Sequence, residues 1–409
     1  MYAQYQAVGR ALRELRVGPG APVVTRVGND SVFFPLFAAC MSAGAALVAL
    51  GEATDEEAAS IIASCEAAAI VTERPLPGAS ANSVSIGGGV QIVSLRSPRR
   101  AEVYADSVVL KLTSGSTDLP KAALAGIQHL VSDGRHVIEA MGIGPHDINL
   151  ACIPLSHSYA LGNIVMPLLL QGTAVALRQS FNPLQFPDDV RAAGATVFPG
   201  VPFMFHRFRT LDFDRLPPCL RLLITAGARI DPATVRWVHD RLGRKVHSFY
   251  GSSETGGITY DDSDDVPDGL HVGRPMPETT VETRDPDATG AGRIVVSGTA
   301  VAPAYAGHGP VRAAGPRGPA APDSGFVGGS FITSDVGYLD AGGRLVMTGR
   351  VSPIVNVAGR KVDPAEVERV LTELPGVVDA RVVGTACDRR GQQLVAFVVS
   401  EAGLNSVTL

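Results

Sequence analysis

The chain has 409 residues, enough for two or three domains with a large core. Charged residues make up only 18% and the formal net charge is −5, which argues against a nucleic-acid-binding or membrane-surface protein. The five cysteines are widely spaced, without a C-x-x-C pair, as is typical of small core residues in a reducing compartment. The sequence therefore predicts a cytoplasmic enzyme without a membrane span. It leaves open whether the enzyme is a homodimer.

The first 250 residues predict alternating strands and helices. Strands are expected at 22–27, 46–50 and 68–72, and helices at 32–42 and 55–64. The same alternation continues to residue 249. Alternation of this kind predicts parallel sheets covered by helices on both faces.

The pattern becomes β-rich from about residue 272. After residue 350 it predicts strand, helix, strand and strand. We therefore expect an α/β protein with an N-terminal core at 1–349, including a β-rich subdomain at about 272–349. A small, incomplete α+β C-terminal domain is expected at 350–409, after a hinge at Arg350–Ser352.

The stretch from Thr113 to Lys121, TSGSTDLPK, follows a predicted buried strand at 107–112. Its backbone N–H groups, hydroxyls and ammonium group suit the binding of a polyphosphate. The spacing differs from that of a Walker A loop, which places a glycine directly before the lysine. Taken alone, an ordinary Ser/Thr-rich loop explains this stretch equally well.

Two further predicted strands end in small or polar residues, at Ala226–Arg229 and at Tyr250–Thr255. In an open α/β sheet, ligands bind at the carboxyl ends of the strands. We therefore predict that these two strand ends and the Thr113–Lys121 stretch converge on one crevice.

An ordered series of motifs identifies a family. It consists of LTSGSTDLPK at 112–121, YGSSET at 250–255, TSD at 333–335, GYLD at 337–340, GR at 349–350 and AGRKVDPAEVE at 358–368. Together they resemble the acyl-adenylate-forming, or AMP-dependent synthetase/ligase, superfamily. The sequence around His157 is closest in character to acyl- and aryl-CoA ligases. The resemblance spans nearly the whole chain.

The resemblance implies ATP-dependent activation of a carboxylic acid as acyl-AMP, with release of pyrophosphate and with Mg²⁺ bound. It further implies transfer of the acyl group to the thiol of CoA, with a rotation of the C-terminal part between the two steps. Three alternatives stay open. The acceptor could be a carrier-protein thiol, or an amine or nitrogen oxyacid in natural-product assembly, or the protein could be a degenerate, non-catalytic homologue.

The same resemblance assigns site residues. Lys121, Thr117 and Glu254 are the expected catalytic residues, with Glu254 also the Mg²⁺ ligand. The expected nucleotide-binding residues are Thr113, Ser114, Gly115, Ser116, Thr117, Lys121, Gly227, Ala228, Arg229, Tyr250, Gly251, Ser253, Asp335 and Arg350. The expected acid-binding residues are His157, Tyr159, Asn163, Gly251 and Ser252. A lone histidine such as His157 also has an ordinary structural interpretation.

Departures from the family pattern raise questions about function. Asp118 stands where the family usually has glycine, and it adds a negative charge near the expected triphosphate. Asn356 replaces a frequent lysine, and the family's C-terminal catalytic lysine is expected beyond Leu409. We expect a shortened form of an ordinary ligase, with natural loss of two-step activity as the alternative.

Overall fold

The structure is a computed structural model. It describes residues 1–74, 82–95, 104–113, 121–211, 213–266, 271–306, 325–350, 355–357, 360–362, 364–387, 391–400 and 403–408. The chain divides into two compact units. The first consists of residues 1–282, 295–331 and 339–346, and the second of residues 283–294, 332–338 and 347–409. The predicted domain boundary at residue 349 stays a prediction.

The first unit begins with a seven-stranded sheet and three helices. Its strands are β1 Pro22–Thr25, β2 Ala46–Ala49, β3 Ala69–Thr72, β4 Ser83–Gly87, β5 Val90–Ser94, β6 Val109–Leu112 and β7 Ala122–Ala125. The helices are α1 Tyr2–Glu14, α2 Phe33–Ala43 and α3 Asp55–Cys65. Strand β1 is buried at every position, as expected for a sheet covered on both faces.

The strand order of the first sheet is β4-β5-β3-β1-β2-β6-β7. The central strands β3, β1, β2 and β6 are parallel, whereas β5 and β7 are antiparallel to their neighbours. Helix α3 starts at a capping box in which Thr54 and Glu57 each accept the other's backbone N–H.

A second seven-stranded sheet completes the main body of the first unit. Its strands are β8 Ile148–Ala151, β9 Ala174–Leu177, β10 Val197–Gly200, β11 Leu222–Thr225, β12 Val246–Ser252, β13 Gly256–Tyr260 and β14 Arg274–Pro275. Its helices are α4 Ile127–Met141, α5 Ser158–Ala160, α6 Met166–Gln171, α7 Phe186–Ala193, α8 Pro202–Thr210 and α9 Pro232–Leu242, with a π-helical turn at Leu161–Val165. The strand order is β14-β13-β12-β11-β10-β8-β9.

Burial of aromatic side chains supports the second sheet. Phe186, Phe198, Phe205 and Phe208 are almost fully buried and lie in ring-to-ring contact at centroid distances between 4.7 and 6.3 Å. Contacts of this kind add packing energy beyond the apolar area that they bury. They fix α7 and α8 beside β10.

The remaining elements form two smaller sheets. The third has strands β15 Thr279–Arg284, β16 Gly292–Gly298, β17 Gly325–Val327, β18 Ser330–Leu339 and β19 Leu345–Arg350, ordered β15-β16-β18-β17 with β19 on β18. The fourth has β20 Val355–Val357, β21 Arg360–Val362, α10 Pro364–Thr372, β22 Val377–Cys387, β23 Gly391–Ser400 and β24 Gly403–Thr408. Its order is β21-β20-β23-β22, with β24 on β23.

The predicted fold class is confirmed, because α/β sheets are followed by a small α+β part. One detail is corrected: both large sheets are mixed, since β5, β7 and β13 run antiparallel at or near their edges. None of the helices in the described ranges combines the length and apolarity needed to cross a bilayer.

Candidate active site

The predicted polyphosphate loop connects two antiparallel strands. Leu112 on β6 is paired with Ala122 on β7, and the backbone N–H of Thr113 donates to the carbonyl oxygen of Lys121 at 2.8 Å. The Thr113 hydroxyl donates to the same oxygen at 3.2 Å. The two ends of the loop are thereby held together. A strand-to-strand loop of this kind is distinct from a Walker A loop, which leads into a helix.

Several predicted site residues lie outside the described residues. They are Ser114, Gly115, Ser116 and Thr117, together with the neighbouring Asp118. Their assignment as phosphate-binding residues stays a prediction. Thr113 and Lys121, which flank them, are described, and Lys121 is exposed to solvent.

The Tyr250–Thr255 motif forms the end of β12 and the tight turn into β13. Strand β12 extends three residues beyond its predicted end and includes Tyr250 and Gly251. A Cβ atom on Gly251 would lie 2.6 Å from the carbonyl oxygen of Gly256, so only glycine fits here. The Ser252 hydroxyl bonds to the Thr255 hydroxyl at 3.0 Å and accepts the Thr255 backbone N–H at 3.3 Å. The turn therefore presents Ser253 and Glu254 at the strand end.

Hydrogen bonds bring the predicted strand ends together. The Ser253 hydroxyl donates to the carbonyl oxygen of Leu112 at 3.2 Å, directly before the polyphosphate loop. It also bonds to the Ser158 hydroxyl at 2.9 Å. The Tyr159 hydroxyl donates to the carbonyl oxygen of Ile224 on β11, at 3.2 Å. The Tyr250–Thr255 turn therefore meets the end of β6, while convergence of the Ala226–Arg229 turn on the same crevice stays a prediction.

The turn after β11 is exposed. Gly227 has a φ of +86°, a left-handed conformation that glycine adopts without strain. The backbone N–H of Ala226 donates to the carbonyl oxygen of Gly200 and anchors the turn. Ala228 and Arg229 are exposed next to it. The assignment of Gly227, Ala228 and Arg229 to an adenine contact stays a prediction.

His157 caps the short helix α5. Its Nδ1 accepts the backbone N–H of Tyr159 at 3.3 Å, so the neutral ring carries its proton on Nε2. Desolvation by neighbouring protein atoms lowers the pKa of His157 below its ordinary value of 6.5. The ring is therefore neutral at pH 7 and able to donate a hydrogen bond.

Two predicted acid-binding residues are buried. Tyr159 is 8% exposed and packs against Phe249 at a centroid distance of 5.8 Å. Asn163 is 1% exposed within the π-helical turn, and its side-chain amide donates to the carbonyl oxygen of Tyr159 at 3.3 Å. Their geometry supports the wall of the site, and a direct contact with the acid stays a prediction.

One carboxylate oxygen of Glu254 is available for a ligand. Its Oε1 accepts the Tyr305 hydroxyl at 2.6 Å, and no hydrogen bond to Oε2 is present among the described residues. A carboxylate oxygen with this freedom is a suitable Mg²⁺ ligand. The described ranges hold no cluster of three or more His, Cys, Asp or Glu side chains that could bind a metal. One protein carboxylate fits Mg²⁺ that takes its other ligands from phosphate oxygens and water.

A cavity of about 790 Å³ lies at the carboxyl ends of the strands of both large sheets. Its wall includes Asn29, Leu50, Glu52, Cys152, His157 and Phe181. Asn29 connects the two sheets, because its amide donates to the carbonyl oxygens of Ile153 and Arg178 and its Oδ1 accepts the Leu155 N–H. Sequence reasoning missed Asn29, although its place two residues after a predicted strand was a usable signal.

Asp335 and Arg350 lie in the second unit. Arg350 Nε lies 3.2 Å from Asp335 Oδ1, and Asp335 is fixed by its backbone N–H, which donates to the Thr333 hydroxyl at 3.0 Å. The Asp335 side chain is about one-fifth exposed, whereas that of Arg350 is mostly exposed. The two predicted ribose-contacting residues therefore lie next to each other.

Comparison with known proteins decides the family. The model of the AMP-binding enzyme family matches residues 1–306, and that of the AMP-binding enzyme C-terminal domain matches residues 366–409. The chain belongs to the AMP-binding enzyme family. The predicted superfamily is thereby confirmed, and the motifs at 112–121 and 250–255 lie within the first matched range.

Curated relatives in the AMP-binding family include CoA ligases. The chain is 29% identical over 301 residues to sulfoacetate–CoA ligase of Cupriavidus necator, covering 71% of this chain and 57% of the relative. It is 30% identical over 321 residues to salicylyl-CoA synthase / salicylate adenylyltransferase of Streptomyces sp, covering 75% and 56%. The matched part thus spans a little over half the length of these relatives.

Solved structures of AMP-binding enzymes share the fold. Amide bond synthetase McbA from Marinactinospora thermotolerans matches with a TM-score of 0.68 and 25% identity, over 98% of this chain and 84% of that one. The chain is therefore similar over nearly its whole length to an enzyme whose name describes amide formation.

Proposed function

We propose that this protein activates a carboxylic acid with ATP, forms an acyl-AMP with release of pyrophosphate, and passes the acyl group to the thiol of CoA with release of AMP. The observation that carries the proposal is the hydrogen bond from the Ser253 hydroxyl to the carbonyl oxygen of Leu112. It brings the Glu254 turn next to the loop between Thr113 and Lys121. Family membership and the names of the CoA-ligase relatives support the same reaction.

The first step needs stabilisation of a departing pyrophosphate. A carboxylate oxygen of the acid attacks the α-phosphorus, and the bond from that phosphorus to the bridging oxygen of pyrophosphate breaks. The exposed ammonium group of Lys121 and the hydroxyls of the loop before it supply positive charge and donors for phosphate oxygens. The Lys121 ammonium and these hydroxyls would thereby stabilise the negative charge that develops on pyrophosphate.

Glu254 would hold Mg²⁺ through its available carboxylate oxygen. When bound, Mg²⁺ compensates phosphate charge and polarises the reacting phosphoryl group. In this proposal the chain keeps Glu254 oriented and next to the Thr113–Lys121 loop. The hydrogen bond from Tyr305 to Oε1 and that from Ser253 to Leu112 provide this arrangement.

The acid would bind next to His157. A carboxylic acid is already ionised at neutral pH, so the first step needs no general base. Because the pKa of His157 is lowered, its neutral Nε2–H can orient the acid as a hydrogen-bond donor without adding charge. Tyr159 and Asn163 would support this wall from below, since both are buried.

A second candidate acceptor is an amine. The cavity beside His157 is lined by Glu52 and Glu57, and its described lining residues include no Lys or Arg. Such a wall suits a neutral or cationic acceptor better than a phosphorylated one such as CoA. The amide bond synthetase with the same fold supports this second reading.

The direct test is an ATP–pyrophosphate exchange assay with panels of aryl and aliphatic carboxylic acids. We expect exchange with at least one acid, followed by thioester formation when CoA is added. Amide formation from added amines, without CoA turnover, would select the second candidate. Absence of exchange with every acid would contradict both.

Matched variants connect the activity to the site. Glu254→Gln removes the carboxylate charge, and we expect exchange to fall by at least about 100-fold, as for loss of a group acting on transition-state charge. Glu56→Gln changes an exposed glutamate on α3 and serves as the control, with exchange unchanged. Equal rates of ATP–pyrophosphate exchange in both variants would show that Glu254 has no role in the reaction.

A further inference from the structure

Tyr305 is held rigidly beside the polyphosphate loop. The backbone N–H of Leu124 donates to the carbonyl oxygen of Ala304 at 2.9 Å, and that of Ala306 donates to Ala122 at 2.7 Å. These bonds fix Tyr305 opposite Ala123 in an isolated antiparallel bridge. Strand β7, on which Ala122 and Ala123 lie, begins directly after Lys121.

Aromatic packing fixes the ring of Tyr305 as well. The ring contacts Phe326 at a centroid distance of 4.9 Å and Phe331 at 6.3 Å, both nearly edge-on. Phe326 and Phe331 in turn contact each other at 4.8 Å. The orientation of the Tyr305 ring is therefore set from behind, leaving its hydroxyl and one face for other contacts.

Tyr305 contacts two residues with predicted catalytic roles. Its hydroxyl donates to Glu254 Oε1 at 2.6 Å, and the Lys121 ammonium lies 5.3 Å from the centre of its ring. The carbonyl oxygen of Glu254 is also fixed, because it accepts the Ala302 N–H at 2.8 Å. A neutral side chain thus lies in contact with both the cation and the carboxylate.

We propose that Tyr305 is a positioning residue that orients Glu254 toward the metal and Lys121 toward the phosphates. The proposal rests on the proposed function and adds a residue to its machinery. A short hydrogen bond to a carboxylate is strong and directional, so it fixes the Glu254 rotamer and leaves Oε2 for the cation. The ring face attracts the Lys121 ammonium without neutralising it.

The alternative to this arrangement is a direct ion pair between Lys121 and Glu254. Such a pair would compensate both charges and weaken the attraction of each for its ligand. No ion pair between them is present among the described residues, and Tyr305 contacts both instead.

The test separates the hydroxyl from the ring. Tyr305→Phe removes only the hydrogen bond to Glu254, whereas Tyr305→Leu also removes the ring beneath Lys121. Tyr5→Phe is the matched control, because the Tyr5 hydroxyl donates to the Ser42 hydroxyl at an exposed position near the start of the chain. The probes are Mn²⁺ binding in the presence of ATP, by electron paramagnetic resonance, and ATP binding without metal, by calorimetry.

We expect Tyr305→Phe to weaken Mn²⁺ binding about tenfold and to leave metal-free ATP binding unchanged, as for loss of one hydrogen bond to a charged group. Tyr305→Leu should in addition weaken metal-free ATP binding about threefold to fivefold, through loss of the cation–π contact. In Glu254→Gln, adding Tyr305→Phe should cause no further loss of Mn²⁺ affinity. Tyr5→Phe should match the unmodified protein in both measurements.

Two results would overturn the proposal. One is unchanged Mn²⁺ and ATP affinity in Tyr305→Phe. The other is an equal loss of both affinities together with a lowered melting temperature, which indicates packing alone. These binding measurements need no acid. If the unmodified protein binds neither ATP nor Mn²⁺–ATP, the proposed function is contradicted. If the unmodified protein binds both and Tyr305→Phe binds them with the same affinities, only the positioning role is contradicted.

Discussion

The Lys111 ammonium lies 4.0 Å from the Asp133 carboxylate, and the two residues are only 4% and 3% exposed. Lys111 is on β6, which enters the polyphosphate loop, and Asp133 is on α4. Asp133 Oδ1 also accepts the backbone N–H of Gly257 at 2.9 Å, on the strand that follows Glu254. One buried pair therefore connects the strands that carry both halves of the candidate site.

We predict that Asp133→Ala destabilises the protein by about 3–5 kcal/mol, because it leaves the Lys111 charge buried and unpaired. The double variant Lys111→Met/Asp133→Asn removes both charges and keeps an acceptor for Gly257. It should recover most of that loss. Urea unfolding measures both free energies. A single variant within about 0.5 kcal/mol of the unmodified protein would show that water screens the pair.

The second prediction concerns Asn29, which connects the two large sheets at the cavity. Asn29→Ala removes three hydrogen bonds to backbone groups, to Ile153, Leu155 and Arg178, and should cost about 2–3 kcal/mol at roughly 1 kcal/mol each. Hydrogen exchange should rise at the Leu155 amide, which loses its acceptor.

Asn182→Ala is the control for Asn29→Ala, because the Asn182 side-chain oxygen accepts the nearby Leu184 N–H at an exposed position. It should leave exchange at residue 155 unchanged. If Asn29→Ala alters neither stability nor exchange at the cavity wall, Asn29 does not hold the sheets together.

The sequence predicted those features that depend on local pattern. Alternating strands and helices indicated the α/β class, and the polar strand ends at Thr113 and Tyr250 indicated that the Ser253 turn lies next to the end of β6. Contacts between residues that are distant in the sequence could not be predicted from a local pattern. Tyr305 is 51 residues from Glu254 along the chain, and its hydrogen bond is set by the bridge to β7. Asn29 contacts Ile153 and Asp133 contacts Gly257, each across 124 positions of the chain, which no local period encodes.

The third prediction concerns Asp118, where the family usually has glycine. Removing its negative charge near the bound triphosphate should strengthen ATP binding about fivefold. This corresponds to about 1 kcal/mol of repulsion between the Asp118 carboxylate and a nearby phosphate charge in water. Asp118→Asn removes only the charge, whereas Asp118→Gly also frees the backbone. Calorimetry with ATP and Mg²⁺ compares the two. Unchanged affinity in both would mean that the side chain points away from the phosphates.

The fourth prediction concerns Asp147, which accepts two hydrogen bonds from Arg221, one from the Thr196 hydroxyl and one from the Gly144 N–H. Burial raises the pKa of Asp147, but these hydrogen bonds outweigh it and lower the pKa to about 2. The ordinary value is 3.8, so the carboxylate contributes about 2 kcal/mol of stability above about pH 4. That contribution is lost as the pH falls from about 4 to about 2.

Asp147→Asn should therefore lower the free energy of unfolding by about 2 kcal/mol at pH 7, and the difference from the unmodified protein should shrink as the pH falls toward 2. Asp188→Asn is the control, because Asp188 pairs with Arg191 at a largely exposed position where salt bridges contribute little. Urea unfolding of the three proteins between pH 2 and pH 7 measures the effect. A difference for Asp147→Asn that stays constant with pH would show that packing, rather than the ionised carboxylate, stabilises this site.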